Sequence, residues 1–250
     1  MLEFKNVSFK YDEDDYKMLE NLSFTVDEGD FISIIGKSGC GKSTVFRLIN
    51  GLEKAEKGQI LVNGVPIEKQ KNYSAYMPQK DLLFPWRTIE QNICLSMEIQ
   101  KRSKSQMHEK AEEMLKEVGL WDYRNKYPKD LSGGMRQRAS FARTILSGCN
   151  LLLLDEPFSA LDSLTKISLQ EWLLDECKKH NKTVLFVTHD VEEAIFLSKK
   201  IFVITDRPVT HFEEVVVPLS DERKREDMKR SDIVELKESL IKKLRQEGEA

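Results

Sequence analysis

The stretch FISIIGKSGCGKST, Phe31 to Thr44, restricts what this chain can fold into more than any other. Its first half is continuously apolar, as in a strand buried on both faces of a parallel sheet. A Gly-rich turn follows, with Gly36, Gly41, Lys42 and Ser43 at the places a phosphate loop requires. Glycines let successive backbone N–H groups converge on phosphate oxygens. Lys42 supplies a point charge for the β- and γ-phosphates, and the Ser43 hydroxyl is placed to ligate Mg2+. Lys37, Ser38, Gly39, Cys40 and Thr44 complete the expected nucleotide-binding loop. Strand, loop and helix in this order predict an α/β nucleotide-binding core.

The rest of the sequence has to be compatible with such a core. At 250 residues there is room for one large domain or two small ones. Apolar residues make up 40% and charged residues 32%, enough for a sizeable core under a well-solvated surface. A formal net charge of −3 gives no basic footprint for nucleic acid. No apolar run approaches the roughly 20 residues that span a bilayer, and MLEFKNVSFK lacks the layout of a signal peptide. A membrane role is therefore expected only through a partner. Cys40, Cys94, Cys149 and Cys177 are scattered without a C-x-x-C pair, which argues against disulfides and zinc.

Short β-like runs punctuate the first third: EFKNVSF, NLSFTV, FISIIG, GQILVNG and YSAYMPQ. The early ones alternate apolar and polar residues, as half-buried antiparallel strands do. LLLLDEP, TVLFVTH and KIFVIT follow later, separated by helical stretches. From about Asp81 to Gly148 the pattern is helical. Met107, Ala111, Met114, Leu115 and Val118 share one face, and Gly119 suits a helix stop. Near the C-terminus Ile233, Leu236, Leu240 and Leu244 form the stripe of an amphipathic helix.

Three further motifs carry chemistry. LLLLDEP ends a buried strand in two carboxylates. Asp155 is placed to hold Mg2+ through water, and Glu156 to orient or deprotonate an attacking water. Adjacent strand residues point to opposite faces, so the two are not expected to be equivalent ligands. His189 ends the strand TVLFVTHD, expected beside the LLLLDEP strand at the edge where open α/β sheets bind ligands, and is expected to contact the γ-phosphate. LSGGMRQR begins a second helix with small residues and Ser132 as N-cap, a second anion-binding device far from the first.

In this order GKSGCGKST, YMPQ, LSGGMRQR, LLLLDEP, SALD and VTHD resemble the ATP-binding subunit of an ABC transporter, over nearly the whole chain. The resemblance implies a RecA-like P-loop NTPase core with an N-terminal antiparallel β subdomain and an inserted helical subdomain. The ATPase domain is expected over 1–210, with the helical insertion at about 81–148 and a C-terminal extension at 211–250. By resemblance Gln79 is the Q-loop glutamine and a Mg2+ ligand beside Ser43 and Asp155. Ser132, Gly133, Gly134 and Gln137 belong to the nucleotide-binding signature, Asp162 to the D-loop, and Glu156, Gln79 and His189 to catalysis. Tyr11 is similar to the aromatic that stacks on adenine, with Tyr16 as rival. The same resemblance accounts for the two phosphate devices. Two copies are expected to pack head to tail, each signature completing the other copy's ATP site.

The expected partners are therefore a second copy, separate membrane permease subunits and, indirectly, a solute-binding protein. That places the chain at the cytoplasmic face of the membrane. LLFPWRTIEQNI, EPFSALDSLTK and THDVEEAIFLSKKIFVITDRP resemble importers of the nitrate/sulfonate/taurine group, which includes carriers of pyrimidine vitamin precursors. The length leaves no expected room for an additional C-terminal regulatory domain. A non-transport ABC ATPase acting on nucleic acid or in regulation, and a P-loop kinase, are the alternatives. Repair members carry long coiled coils, translation factors carry tandem cassettes, and a kinase has no use for LSGGMRQR. LLFPW, Leu82 to Trp86, reads as a loop broken by Pro85. Leu82 and Leu83 are candidates for the core, and Phe84 and Trp86 for a partner surface.

Cys40 is either a small residue facing away from nucleotide or a reactive thiol beside Lys42. On the second reading a thiol alkylator inactivates the protein and ATP protects it, since cationic surroundings favour thiolate. Residual ATPase activity after timed alkylation decides this, and inactivation of Cys40→Ser at the wild-type rate would dismiss the second reading.

Overall fold

A computed structural model describes residues 1–246; residues 247–250, the end of the expected extension, lie outside them. The chain forms two compact units, Met1–Tyr73 with the chain from Cys177, and Ser74–Glu176.

The first unit begins with an antiparallel sheet. Its strands are β1 (Leu2–Phe9), β2 (Leu19–Val26), β4 (Lys57–Val62) and β5 (Val65–Pro66), in the order β2-β1-β4-β5. β2 alternates as expected: Leu22, Phe24 and Val26 are buried while the residues between them face solvent. Phe24 stacks on Phe4 across the pair at 4.4 Å between ring centroids, the type of cross-strand contact that stabilises a sheet.

The second sheet of this unit is built around β3 (Phe31–Gly36), which is flanked in parallel by β8 (Thr183–Val187) and β9 (Lys200–Ile204). β10 (Glu213–Val216) adds to β9 in antiparallel fashion. β8 is buried at every position and β3 at all but Gly36, the pattern its continuous apolar run predicts. Helix α1 (Lys42–Ile49) follows β3, and α7 (Val191–Leu197) follows β8.

Helix α8 (Ser231–Gln246) closes the unit and is the amphipathic helix expected near the C-terminus. Ile233 and Leu240 are fully buried in one cluster with Ile35 of β3, Ile201 and Val203 of β9, and Val191, Ala194 and Ile195 of α7. Leu236 and Leu244 pack at its margin. An amphipathic stripe of this kind stabilises a helix mainly by what it covers, because propensity alone is weak.

The second unit pairs β6 (Ser74–Met77) with β7 (Leu151–Asp155) in parallel. Between these strands in sequence lie α2 (Ile89–Ile93), α3 (Leu95–Ile99), α4 (Lys104–Glu117) and α5 (Gly133–Ile145). α4 buries Ala111, Met114 and Leu115, and Gly119 after it adopts φ +64, a conformation that favours glycine and ends the helix. α6 (Ser163–Lys179) leads out of the unit.

Removing the Leu240 side chain from this packed cluster is expected to cost about 2–5 kcal/mol, the range for buried Leu→Ala changes. Urea unfolding of Leu240→Ala measures it, and a midpoint equal to wild type would mean that α8 contributes nothing to the core.

Candidate functional site

The phosphate loop lies in the first unit, between a buried strand and α1. Gly39 (φ +79) and Gly41 (φ +110) hold conformations that L side chains rarely adopt. A Cβ at Gly36 would stand 2.9 Å from the Cys40 sulfur and 3.0 Å from the Ile204 carbonyl, so only glycine fits there. Above Gly39 a Cβ would meet nothing within 4 Å, leaving open space over the loop. Lys42 Nζ donates to the carbonyls of Gly36 and Lys37, both at 2.7 Å, which curls the loop around the ammonium. α1 has no side-chain cap at its N-terminus and no acid in its first turn. Its positive end is thus uncompensated by side chains, as anion binding requires. Ser38 and Ser43 are exposed.

Cys40 turns toward the loop interior, with its sulfur 3.8 Å from Lys42 Nζ. All four cysteines are free thiols, and burial pushes Cys94 up to about 12, which leaves it inert near neutral pH.

Tyr11 is half-buried against the edge of Phe9, and its hydroxyl lies 3.1 Å from the Thr44 hydroxyl on α1. Tyr16 is exposed, with the Arg207 guanidinium 3.9 Å above its ring. His189 is also exposed. Ile34 pairs with Val187 in the parallel β3–β8 register, so position 189 continues level with Gly36. Asp190 caps α7 by accepting from Glu192 N at 2.9 Å and Glu193 N at 3.3 Å. Thr188 Oγ1 accepts from Asp190 N and donates to the buried Glu193 carboxylate, so the turn bearing His189 is tied on both sides.

The remaining expected site residues lie in the second unit. Asp155 ends β7 and is buried, with the Tyr76 hydroxyl at a long 3.5 Å. Glu156 leaves the strand with φ +51, in the left-handed region. The two carboxylates differ because of this turn, not because of strand alternation. Gln79 Nε2 donates to Glu156 Oε2 at 3.0 Å.

Ser132 caps α5 by accepting from Met135 N at 3.3 Å, as its sequence position predicts. Ser132 and Gly133 are exposed and α5 also starts without an acid in its first turn. A Cβ at Gly134 would stand 2.9 Å from the Ala160 carbonyl, so glycine allows α5 to approach that turn closely. Asp162 is exposed and caps α6 by accepting from Thr165 N at 3.1 Å; hydrogen bonding from the Thr165 side chain, and then from its backbone N–H, holds the carboxyl below the usual carboxylate range.

Gln137 was expected to contact nucleotide, and its placement differs. It is buried, donating to the Glu156 carbonyl at 2.9 Å and Ser159 Oγ at 3.1 Å, and accepting from Ala160 N at 2.8 Å. Neither end of its amide is turned to a ligand.

The LLFPW segment is a loop, built on a residue the sequence did not single out. Asn92, fully buried on α2, accepts from Phe84 N at 2.7 Å and donates to the carbonyls of Phe84, Arg87 and Thr88. Arg143 of α5 donates to the carbonyls of Asp81 and Leu82, both at 2.8 Å. Leu83 is buried as expected, but Leu82 is 60% exposed. Its left-handed backbone, φ +43 with the carbonyl held by Arg143, turns the side chain away from the core. Trp86 is 70% exposed and pairs with Phe84 at 5.2 Å. An asparagine on an otherwise apolar helix face, Ile89, Asn92 and Ile93, was the available sequence signal.

Residues 19–159 match the ABC transporter family model. The chain is 44% identical over 243 residues to the formylaminopyrimidine import ATP-binding protein ThiZ of Halalkalibacterium halodurans, covering 97% of this chain and 94% of that protein. It is 41% identical over 192 residues to the aliphatic sulfonates import ATP-binding protein SsuB of Bacillus cereus, covering 77% and 75%. Among solved structures, the ATP-binding cassette MJ0796, dimeric in a post-hydrolysis state bound to ADP and Pi, superposes with a TM-score of 0.78 at 28% identity. That match covers 88% of this chain and 100% of the cassette. With a phosphate loop, a signature helix and a paired Asp-Glu strand end in the order the family demands, the chain belongs to the ABC transporter family, as one of its ATP-binding ATPase chains.

Proposed function

We propose that this protein is the ATP-hydrolysing subunit of an importer for a small organic solute, of the class of sulfonates or pyrimidine precursors, working as a head-to-tail homodimer on separate permease subunits. No helix among the described residues is long and apolar enough to cross a membrane. In this reading the chain meets the membrane through the permease, on the cytoplasmic face. The names of ThiZ and SsuB support the importer reading. The observation that carries the dimer is the start of α5: Ser132 and Gly133 lie exposed, with no acid in the helix's first turn, at a helix end suited to an anion.

In this reading the loop amides from Lys37 to Thr44 and the Lys42 ammonium hold the phosphates, and Tyr11 stacks on adenine. Tyr11 is preferred over Tyr16 because it is tied to α1 through Thr44, while Arg207 covers the Tyr16 ring. Ser43 in the first unit, and Asp155 and Gln79 in the second, carry the hard oxygen donors that would hold Mg2+, and the ion would supply charge neutralisation to the phosphates. Glu156 takes the proton of the attacking water, and His189 stabilises charge on the γ-phosphate. Ser132, Gly133 and Gly134 close over the γ-phosphate bound to the other copy, while Asp162 lies in the loop that follows Glu156. Gln79 joins the hydrolytic carboxylate to the segment bearing Phe84 and Trp86, which receives the permease.

Two experiments test this reading. Glu156→Gln is expected to lose about 10²- to 10⁴-fold in ATPase rate, the scale of a lost general base, and to accumulate as a dimer with ATP. Lys42→Ala is expected to lose tight ATP binding. Light scattering of Glu156→Gln at saturating ATP checks the composite site, which a monomer would refute. The double change Phe84→Ala with Trp86→Ala is expected to leave folding and ATP binding intact, because both side chains lie outside the core. Loss of an aromatic anchor at an interface costs about 2 kcal/mol or more. Co-purification with the permease should therefore weaken and transport cease; undiminished co-purification would remove this stretch from the interface.

A further inference from the structure

Glu156 is held in an unusual way. A non-glycine residue in the left-handed region persists only where its surroundings over-determine it. Its carbonyl accepts from Gln137 Nε2 at 2.9 Å, from Ser159 Oγ at 3.0 Å and from Ser159 N at 3.3 Å. The donor Gln137 is 5% exposed and engaged at both ends, since its oxygen accepts from Ala160 N at 2.8 Å. A buried amide with all its partners in place fixes geometry in a way a surface contact does not. Gly134, one turn earlier on the same helix, leaves no room for a Cβ beside the Ala160 carbonyl, so α5 lies directly on this turn.

The neighbouring residue on α5 holds the second support of Glu156. Arg136 pairs with Asp81 at 3.0 Å, two residues past the Gln79 that donates to the Glu156 carboxylate. Positions 136 and 137 of the signature helix therefore grip the backbone of Glu156 and the segment that carries its carboxylate partner.

We propose that Gln137 is a positioning residue for hydrolysis. From the signature helix it fixes the backbone of Glu156 and Ala160, so that the aim of the water-activating carboxylate depends on where α5 sits. This rests on Glu156 being the general base and on the signature serving the other copy's nucleotide. Given both, occupancy of one ATP site adjusts the hydrolytic carboxylate of the other through a single buried amide.

The test uses Gln137→Met, which keeps length and bulk and removes the hydrogen bonds. Because a small misplacement of a reacting group costs about 10²-fold in rate, kcat should fall by that order while KM for ATP stays near wild type. In the Glu156→Gln background the same change should leave the ATP-bound dimer intact, because the group it positions is already gone. Three outcomes overturn the proposal: a wild-type kcat, a loss residing in KM, or a Glu156→Gln dimer that forms without Gln137→Met and not with it. If Glu156→Gln alone fails to dimerise, the composite-site reading falls instead. Should Gln137→Met not fold, Ser159→Ala decides: it is exposed, loses one tether of the same carbonyl, and should lower kcat with KM retained. An unchanged kcat in Ser159→Ala would then refute the proposal.

Discussion

Two helix ends without side-chain charge compensation are the constraint around which this protein is arranged. A helix N-terminus carries about half a positive charge on N–H groups that have no partner within the helix. In α4 the first turn is closed locally: Ser103 and Gln106 form a reciprocal capping box. At α1 there is no side-chain cap, and the preceding loop holds left-handed glycines that keep space open above it. At α5 Ser132 caps a single N–H, and small residues make up the exposed start. Neither first turn contains an acid. Both ends are suited to an outside anion, and the rest of each unit holds them in place.

In the first unit the sheet does that holding. β3 is pinned on both sides by parallel neighbours, so the point where the phosphate loop leaves it is fixed by hydrogen bonds rather than by loop packing. The same register brings His189 level with the start of the loop. Behind the sheet, α7 and the C-terminal α8 share one buried cluster with β3 and β9, so the terminal helix stiffens the element on which His189 is mounted.

In the second unit side-chain hydrogen bonds do the holding. The turn after β7 and the loop after Gln79 are irregular backbone, whose polar groups need partners when buried. Gln137, Asn92 and Arg143 supply them, each with more than one bond. Such segments can present the exposed Trp86 and still hold the backbone of Glu156 in place, because their shape is set from beneath and their surface stays available.

Motif spacing determined the fold class and the chemistry of this protein. FISIIG before GKSGCGKST, LSGGMRQR before LLLLDEP, and His189 at the end of TVLFVTHD name the family and the groups proposed to handle phosphate and water, since such groups act through residue type and local backbone. Helical periodicity likewise determined α4 and α8 and the faces they bury. Only the tertiary structure decided what Gln137 bonds to, that Leu82 faces outward beside a buried Leu83, and that Asn92 carries the loop after Gln79. Each of these depends on hydrogen bonds between residues distant in sequence or on the sign of one backbone angle. A glutamine or asparagine reads the same on a helix whether it meets water or a buried carbonyl, and the choice is made when another segment packs against it.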